Sequence, residues 1–99
     1  MPEAETELGP CPLCGRPMFD GPSVDRHHLV PRSEGGSEAV RMHRVCHTKI
    51  HSRFSERELA TDFFTVERLQ AHEDIAKFIR WVRKQDPLYV GRHRPINRT

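Results

Sequence analysis

The sequence predicts a small α+β domain whose first half is a short finger and whose last third is helical. The chain has 99 residues, of which 35% are hydrophobic and 30% are charged. A chain of this length buries only about 60 to 65% of the surface that its unfolded form exposes. Cysteines and histidines crowd the first half, whereas helical periodicity appears near the end. We therefore expect one domain that is stabilised by more than its apolar core.

The first element is predicted from the spacing of its cysteines. "CPLC" places Cys11 and Cys14 in a Cys-x-x-Cys turn. "HRVC" supplies His43 and Cys46 at the same spacing downstream. Three cysteines are a poor disulfide framework, whereas a Cys3His set suits a closed, tetrahedral zinc site. We expect a zinc knuckle that supplies stability to the small chain; the alternative is an exposed Cys-x-x-Cys pair unrelated to Cys46.

Two adjacent histidines, His27 and His28, lie on the short strand predicted from "SVDRHHLV". Successive side chains of a strand point to opposite faces, so the two imidazoles have different environments. His47 and His51 are four residues apart on the helix predicted from "RVCHTKIHSRF" and share one face. If His27 joins that pair on a divalent ion, His28 is free to act as a general base. The alternatives are that both strand histidines are structural or that both bind metal.

The chain divides into four predicted segments. Residues 1–9 are expected to form a disordered leader and residues 10–54 the finger. Residues 55–86 are expected to form a helical extension and residues 87–99 a basic tail. Within the extension, "SERELA" has capping-box spacing and "TVERLQAHEDIAKFIRWVRK" predicts an amphipathic helix. Its apolar face is expected to pack inside a monomer, with homodimerisation as the alternative; it comprises Ile75, Phe78, Ile79 and Val82.

The charge pattern bears on partners and location. The formal net charge is +2, but basic residues cluster near the histidines. Arg32, Arg44, Lys49 and Arg53 are candidate phosphate contacts, and a solvated basic face is the alternative. The N-terminal "MPEAETELGP" is too acidic for a signal peptide, and no stretch is apolar enough to span a bilayer. A cytoplasmic location with reduced cysteines is therefore expected.

Together, "CPLC", "RHHLVPRSEGG" and "HRVCHTKIH" resemble the HNH endonucleases, whose ββα-metal finger carries such histidines on a strand and a helix. The resemblance covers residues 11–51. It implies that His28 is the general base and that a divalent ion and a knuckle zinc are bound nearby. The implied ligands are His27, His47 and His51 for the divalent ion, and Cys11, Cys14, His43 and Cys46 for zinc.

Two positions depart from that family's pattern or add to it. Glu38 stands where the family has the Asn that orients the base, nine residues before His47. It is therefore a candidate for the same catalytic role, with Ser37 as the alternative in a shifted register. Asp25 is a further candidate for orienting an imidazole.

The predicted function is hydrolysis of phosphodiester bonds in DNA by a metal-dependent endonuclease with low sequence specificity. Three imidazoles suit Zn²⁺, Ni²⁺ or Mn²⁺ better than Mg²⁺, which prefers oxygen ligands. The scissile phosphate would contact the ion, and His28 would deprotonate an in-line water. The rival hypothesis is a non-catalytic zinc module that binds DNA or protein. A redox role for "CPLC" is a third reading that leaves the histidines unexplained.

Overall fold

The computed structural model of the protein describes residues 6–91. Two antiparallel hairpins are followed by helices in this range, and a short 3-10 turn lies within the second hairpin. The predicted α+β class is confirmed. The elements are β1 (Glu7–Pro10), β2 (Pro17–Phe19), β3 (Val24–His28), β4 (Ala39–His43), α1 (Arg44–Arg53), α2 (Glu56–Thr61), α3 (Val66–Ala71) and α4 (Glu73–Val82).

The first hairpin includes residues that the sequence assigned to a leader. Glu7 pairs with Phe19 across β1 and β2, and the backbone N–H of Asp20 donates to the carbonyl of Thr6 at 2.8 Å. The prediction of a disordered leader over residues 1–9 is therefore wrong for residues 7–9, because the Cys-x-x-Cys turn extends into paired strands on both sides. Residues 1–5 lie outside the described residues, as do residues 92–99 of the predicted tail.

The second hairpin carries the two adjacent histidines and leads directly into α1. Its register pairs Val24 with His43 at one end and His28 with Ala39 at the other. In the loop between β3 and β4, the backbone of Gly36 packs closely against that of Val30. A β-carbon at Gly36 would lie 1.8 Å from the carbonyl oxygen of Val30. Only glycine fits this position without a shift of the backbone.

The C-terminal half contains one break that the sequence pattern did not predict. The capping box is present, with Glu58 N–H donating to Ser55 Oγ at 3.1 Å. The single helix predicted from residue 65 onwards is wrong, because His72 separates α3 from α4. His72 has extended backbone angles (φ −72°, ψ 135°), and its Nδ1 accepts a hydrogen bond from the N–H of Asp74. The side-chain cap at His72 therefore ends one helix and begins the next, although the apolar residues keep helical spacing across it.

The apolar face of α4 packs inside the molecule, as predicted. Ile75, Ile79 and Val82 are buried, and Phe78 is half-buried against the same core. The core continues to α1 through Ile50 and to the first hairpin through Leu13. No helix within residues 6–91 has the length and apolar character needed to cross a membrane.

Candidate metal centres

Four side chains from three elements converge beside the first hairpin. Their candidate ligand atoms lie within 4.8 Å of one another, and each residue is at most 2% exposed. Two sulfur atoms, Cys11 Sγ and Cys46 Sγ, are 4.0 Å apart, and Cys14 Sγ lies 3.4 Å from His43 Nδ1. The turn after β1, the end of β4 and the first turn of α1 supply these groups. This buried Cys3His cluster can hold a structural metal such as zinc.

The charges within this cluster fit metal binding. Burial opposes protonation of His43, but hydrogen bonds with the sulfurs of Cys11 and Cys14 outweigh it and raise the pKa of His43 to about 9. Hydrogen bonds from Cys11 and then Cys46 lower the pKa of the Cys14 thiol. Among the described residues, the buried Nε2 of His43 has no hydrogen-bond partner. The thiolate of Cys14 is the form that ligates zinc, and a bound zinc ion would take the place of the proton on His43.

Arg16 is a charged neighbour of this cluster, and no sequence pattern predicted it. Its side chain is only 6% exposed, and its Nε donates to Cys14 Sγ at 3.3 Å. Its Nη1 donates to the carbonyl of Asp86 at 2.7 Å, just beyond α4. Arg83, which directly follows α4, donates in return to the carbonyl of Cys14 at 2.8 Å. Two arginines therefore connect the cysteine turn to the end of the last described helix.

A second cluster brings together His27, His47 and His51, as the sequence predicted. Their candidate ligand atoms also lie within 4.8 Å of one another. His27 on β3 is fully buried, while His51 on α1 is exposed, so the cluster opens to solvent on one side. The ring centroids of His47 and His51 are 4.7 Å apart, and His27 lies 5.4 Å from His47.

The electrostatics of this second cluster favour neutral imidazoles. Burial lowers the pKa of His27 to about 4, assisted by the neighbouring His47 and His51. Burial also lowers the pKa of His51, and the nearby His47 lowers it further. Both ring nitrogens of His27 are buried without a hydrogen-bond partner among residues 6–91. Because a neutral imidazole is the form that ligates, a divalent ion fits this cluster and would satisfy one of these nitrogens.

Asp25 fixes the orientation of one histidine in this cluster. Its Oδ2 lies 3.0 Å from Nδ1 of His47. Partial burial acts to raise the pKa of Asp25, but the hydrogen bond from His47, the backbone N–H of Arg26 and the charge of Arg44 together lower it. With Nδ1 of His47 engaged by a carboxylate, Nε2 is left to bind an ion.

His28 lines an open cavity of about 220 Å³ together with His47 and His51. The histidine predicted to act as a base therefore shares a cavity with two of the three predicted ligands. Glu56 also lines this cavity and accepts a hydrogen bond from Ser33, a contact that sequence spacing did not reveal. The remaining lining residues are Arg26, Pro31, Arg32 and Ser33.

Two further predicted site residues have different positions relative to this cavity. Arg32 is part of its wall. Glu38 is exposed and does not line it; the backbone carbonyl of Glu38 accepts a hydrogen bond from the N–H of Leu29 at 3.2 Å. Glu38 therefore extends the hydrogen-bonded ladder of the second hairpin at its loop end through its backbone, and its catalytic role stays a prediction.

The predicted phosphate contacts on α1 fall on two sides of the helix. Arg44 begins α1, and its charge helps to lower the pKa of Asp25 beside the histidine cluster. Lys49 and Arg53 lie two positions from His51, which is about 200° around a helix. Arg53 Nε pairs with Asp74 Oδ2 of α4 at 2.6 Å. Lys49 Nζ lies 6.0 Å from the centre of the Phe78 ring of α4. Both residues therefore face α4, and their role as phosphate contacts stays a prediction.

The fold and these clusters define a small α+β protein with two candidate metal centres on either side of one helix. The chain belongs to the same family as the uncharacterized protein YisB of Bacillus subtilis (strain 168). The two are 35% identical over 86 residues, which cover 85% of this chain and 83% of that protein. No protein-family model matches the chain, and no solved structure matches it.

Proposed function

We propose that this protein is a metal-dependent endonuclease of the HNH type that hydrolyses phosphodiester bonds in DNA. One observation carries the proposal: a cluster of three histidines opens into the same cavity as a fourth histidine that is outside the cluster. A purely structural metal site has no need of an open side or of an adjacent free imidazole. Metal-assisted hydrolysis with a histidine base uses both.

The roles of the histidines follow from their positions. His27, His47 and His51 would hold the divalent ion, which supplies Lewis-acid stabilisation of the charge that develops on the phosphate and the leaving oxygen. His28, half-buried at the end of β3, faces the cavity and can accept the proton of an attacking water. A 5′-phosphate product is expected from attack opposite the 3′-oxygen.

Positive charge on the cavity wall supports an anionic substrate. Arg32 is exposed at the start of the 3-10 turn and lines the cavity with His28. A guanidinium group can donate two parallel hydrogen bonds to a phosphate, which positions the substrate without reading its sequence. We therefore assign Arg32 to the substrate phosphate.

The Cys3His cluster supports this site from the other side of α1. Cys46 and His47 are consecutive residues, so the two candidate centres are joined through the first turns of α1. His43, at the end of β4, directly precedes that helix. A zinc ion held here would fix the junction of β4 and α1 and thereby the position of His47 relative to β3.

A non-catalytic zinc module that binds DNA or protein is the second candidate. It is favoured by the exposed position of Glu38, which lies outside the cavity although it occupies the place of the orienting Asn in the HNH pattern. Counting bound metals separates the two. One tightly held zinc per chain supports the module, whereas a second, weaker divalent site supports the enzyme.

The direct test is cleavage of supercoiled plasmid by zinc-loaded protein supplied with Mn²⁺, Ni²⁺, Zn²⁺ or Mg²⁺ in turn. We expect relaxed or linear product with at least one of the first three ions and loss of cleavage in His51→Ala. Ser52→Ala is the matched control, because Ser52 is exposed on the same helix and, within residues 6–91, its hydroxyl donates only to the Lys49 carbonyl. Absence of cleavage with every ion would refute the proposal.

A further inference from the structure

We infer that the exposed face of the β3–β4 hairpin binds the phosphate backbone of a nucleic acid through Arg26 and Arg41. The inference rests on the proposed nuclease activity, and it specifies the surface along which the substrate strand would lie beside the cavity. Neither arginine belongs to the two candidate metal centres.

The register of the hairpin places two positive charges directly opposite each other. Arg26 of β3 is paired with Arg41 of β4, and both are exposed. Residues directly opposite in an antiparallel pair have β-carbons about 4.5 to 5.5 Å apart, and like charges at this separation destabilise the pair. Within residues 6–91, neither guanidinium forms an ion pair with a carboxylate. The hairpin therefore keeps an unfavourable charge pair that a bound anion would neutralise.

The alternation of side chains removes acidic groups from this face. Arg26 and His28 share one face of β3, and Ala39 and Arg41 lie opposite them on β4. Asp25 is the acidic residue of the two strands, and it points to the other face, where it contacts His47. The positive potential of the arginine pair is therefore not cancelled by a carboxylate from either strand.

The arginine pair connects two concave surfaces. Arg26 lines the 220 Å³ cavity that contains His28. It also lines a larger open groove of about 500 Å³, together with Arg41. The other wall of the groove comes from the first hairpin and is formed by Leu8, Pro10, Pro12 and Met18. A chain of phosphates, in which one group occupies the cavity and the next lies over the arginines, matches this continuous path.

The test is binding of a fluorescently labelled DNA duplex, measured by anisotropy over a range of salt concentrations. All proteins carry His28→Ala so that the duplex is not cut. Arg26→Gln and Arg41→Gln should each weaken binding severalfold and reduce the slope of log K against log salt by about 0.9. Arg80→Gln is the matched control, because Arg80 is an exposed arginine on α4; it should leave the slope unchanged.

Thermal melting without DNA provides a second readout that also shows whether the variants fold. Removing one of two opposed like charges should raise the melting temperature by about 1 to 6 °C. A gain in stability together with a loss of DNA affinity is the signature of a binding surface that is maintained at a cost in stability.

Several outcomes would overturn the inference. They are unchanged DNA binding in the double variant, an equal loss in Arg80→Gln, and equally effective competition by polyglutamate of matched charge. Its failure is distinguishable from failure of the proposed function. If the protein cuts plasmid and neither arginine substitution changes DNA binding, the proposed nuclease activity stands and the proposed binding surface is refuted. If the protein does not cut plasmid and the two arginine substitutions still weaken DNA binding, the binding surface stands and the proposed nuclease activity is refuted.

Discussion

Replacing Arg16 by Gln tests the link between the Cys3His cluster and the end of α4. Three thiolates, a neutral imidazole and Zn²⁺ together carry one net negative charge in a buried space, and the Arg16 guanidinium lies against it. The substitution removes the charged donor to Cys14 Sγ and the donor to the carbonyls of Gln85 and Asp86. The centre would then be buried without its counter-charge.

The expected cost follows from the burial of Arg16. A hydrogen bond to a charged group contributes about 1.5 to 3 kcal/mol, and removing one partner of a buried charge pair costs about 3 to 5 kcal/mol. Arg16 is 6% exposed, so solvent screening reduces these values little. We expect Arg16→Gln to lose about 3 kcal/mol, against a total of about 5 to 15 kcal/mol for a small domain.

The assay is urea unfolding of the zinc-loaded protein, followed by fluorescence of Trp81 and by zinc release to a colorimetric chelator. Trp81 is the single tryptophan of the chain and lies on α4, so its signal reports the end of the molecule that Arg16 holds. Arg80→Gln on the same helix is the control and should be neutral. A loss below about 1 kcal/mol in Arg16→Gln, with zinc release unchanged, would refute this reasoning.

Three other predictions follow from single contacts. Asp25→Ala should weaken binding of Ni²⁺ to the histidine cluster about 10- to 100-fold in calorimetric titration, because His47 loses the group that orients it; unchanged affinity would contradict this. Gly36→Ala should lower the melting temperature, since its β-carbon would lie 1.8 Å from a backbone oxygen; an unchanged melt would refute the clash. The hydrogen bond from Arg53 lowers the pKa of Asp74, so the stabilisation that it provides is present above pH 3.8 and lost as pH falls through the lowered value. Asp74→Asn should therefore be slightly less stable than wild type in urea at pH 7, and the difference should shrink as the pH falls below 3.8; a pH-independent difference would show that the ion pair is not the cause.

Local spacing was sufficient to predict both side-chain clusters. In the Cys3His cluster, two residues separate Cys11 from Cys14 and likewise His43 from Cys46. His47 and His51 are four residues apart. Turn and helix geometry bring residues at these spacings together, so the sequence alone predicts the clusters. Strand alternation likewise separated His27, which is buried, from His28, which lines the cavity.

Contacts between distant segments could not be predicted in the same way. Arg16 reaches carbonyls 69 and 70 residues away, and the pairing of Arg53 with Asp74 joins two helices. Neither contact has a local signal in the sequence, so the roles of Arg16 and of the Arg53–Asp74 pair were not predicted. The break at His72 was missed because the amphipathic period continues across it, while a single side-chain cap decides the backbone conformation.

The most direct test of the central claim, that His28 and its neighbour His27 have separate roles, is to measure metal binding and plasmid cleavage on one preparation of His28→Ala. We predict that this variant keeps the affinity of wild type for Mn²⁺ or Ni²⁺ and loses cleavage, because the ligands remain and the base is gone. Cleavage at the wild-type rate would contradict the assignment of His28 as the base. Loss of the divalent ion together with cleavage would show that His28 is itself a ligand.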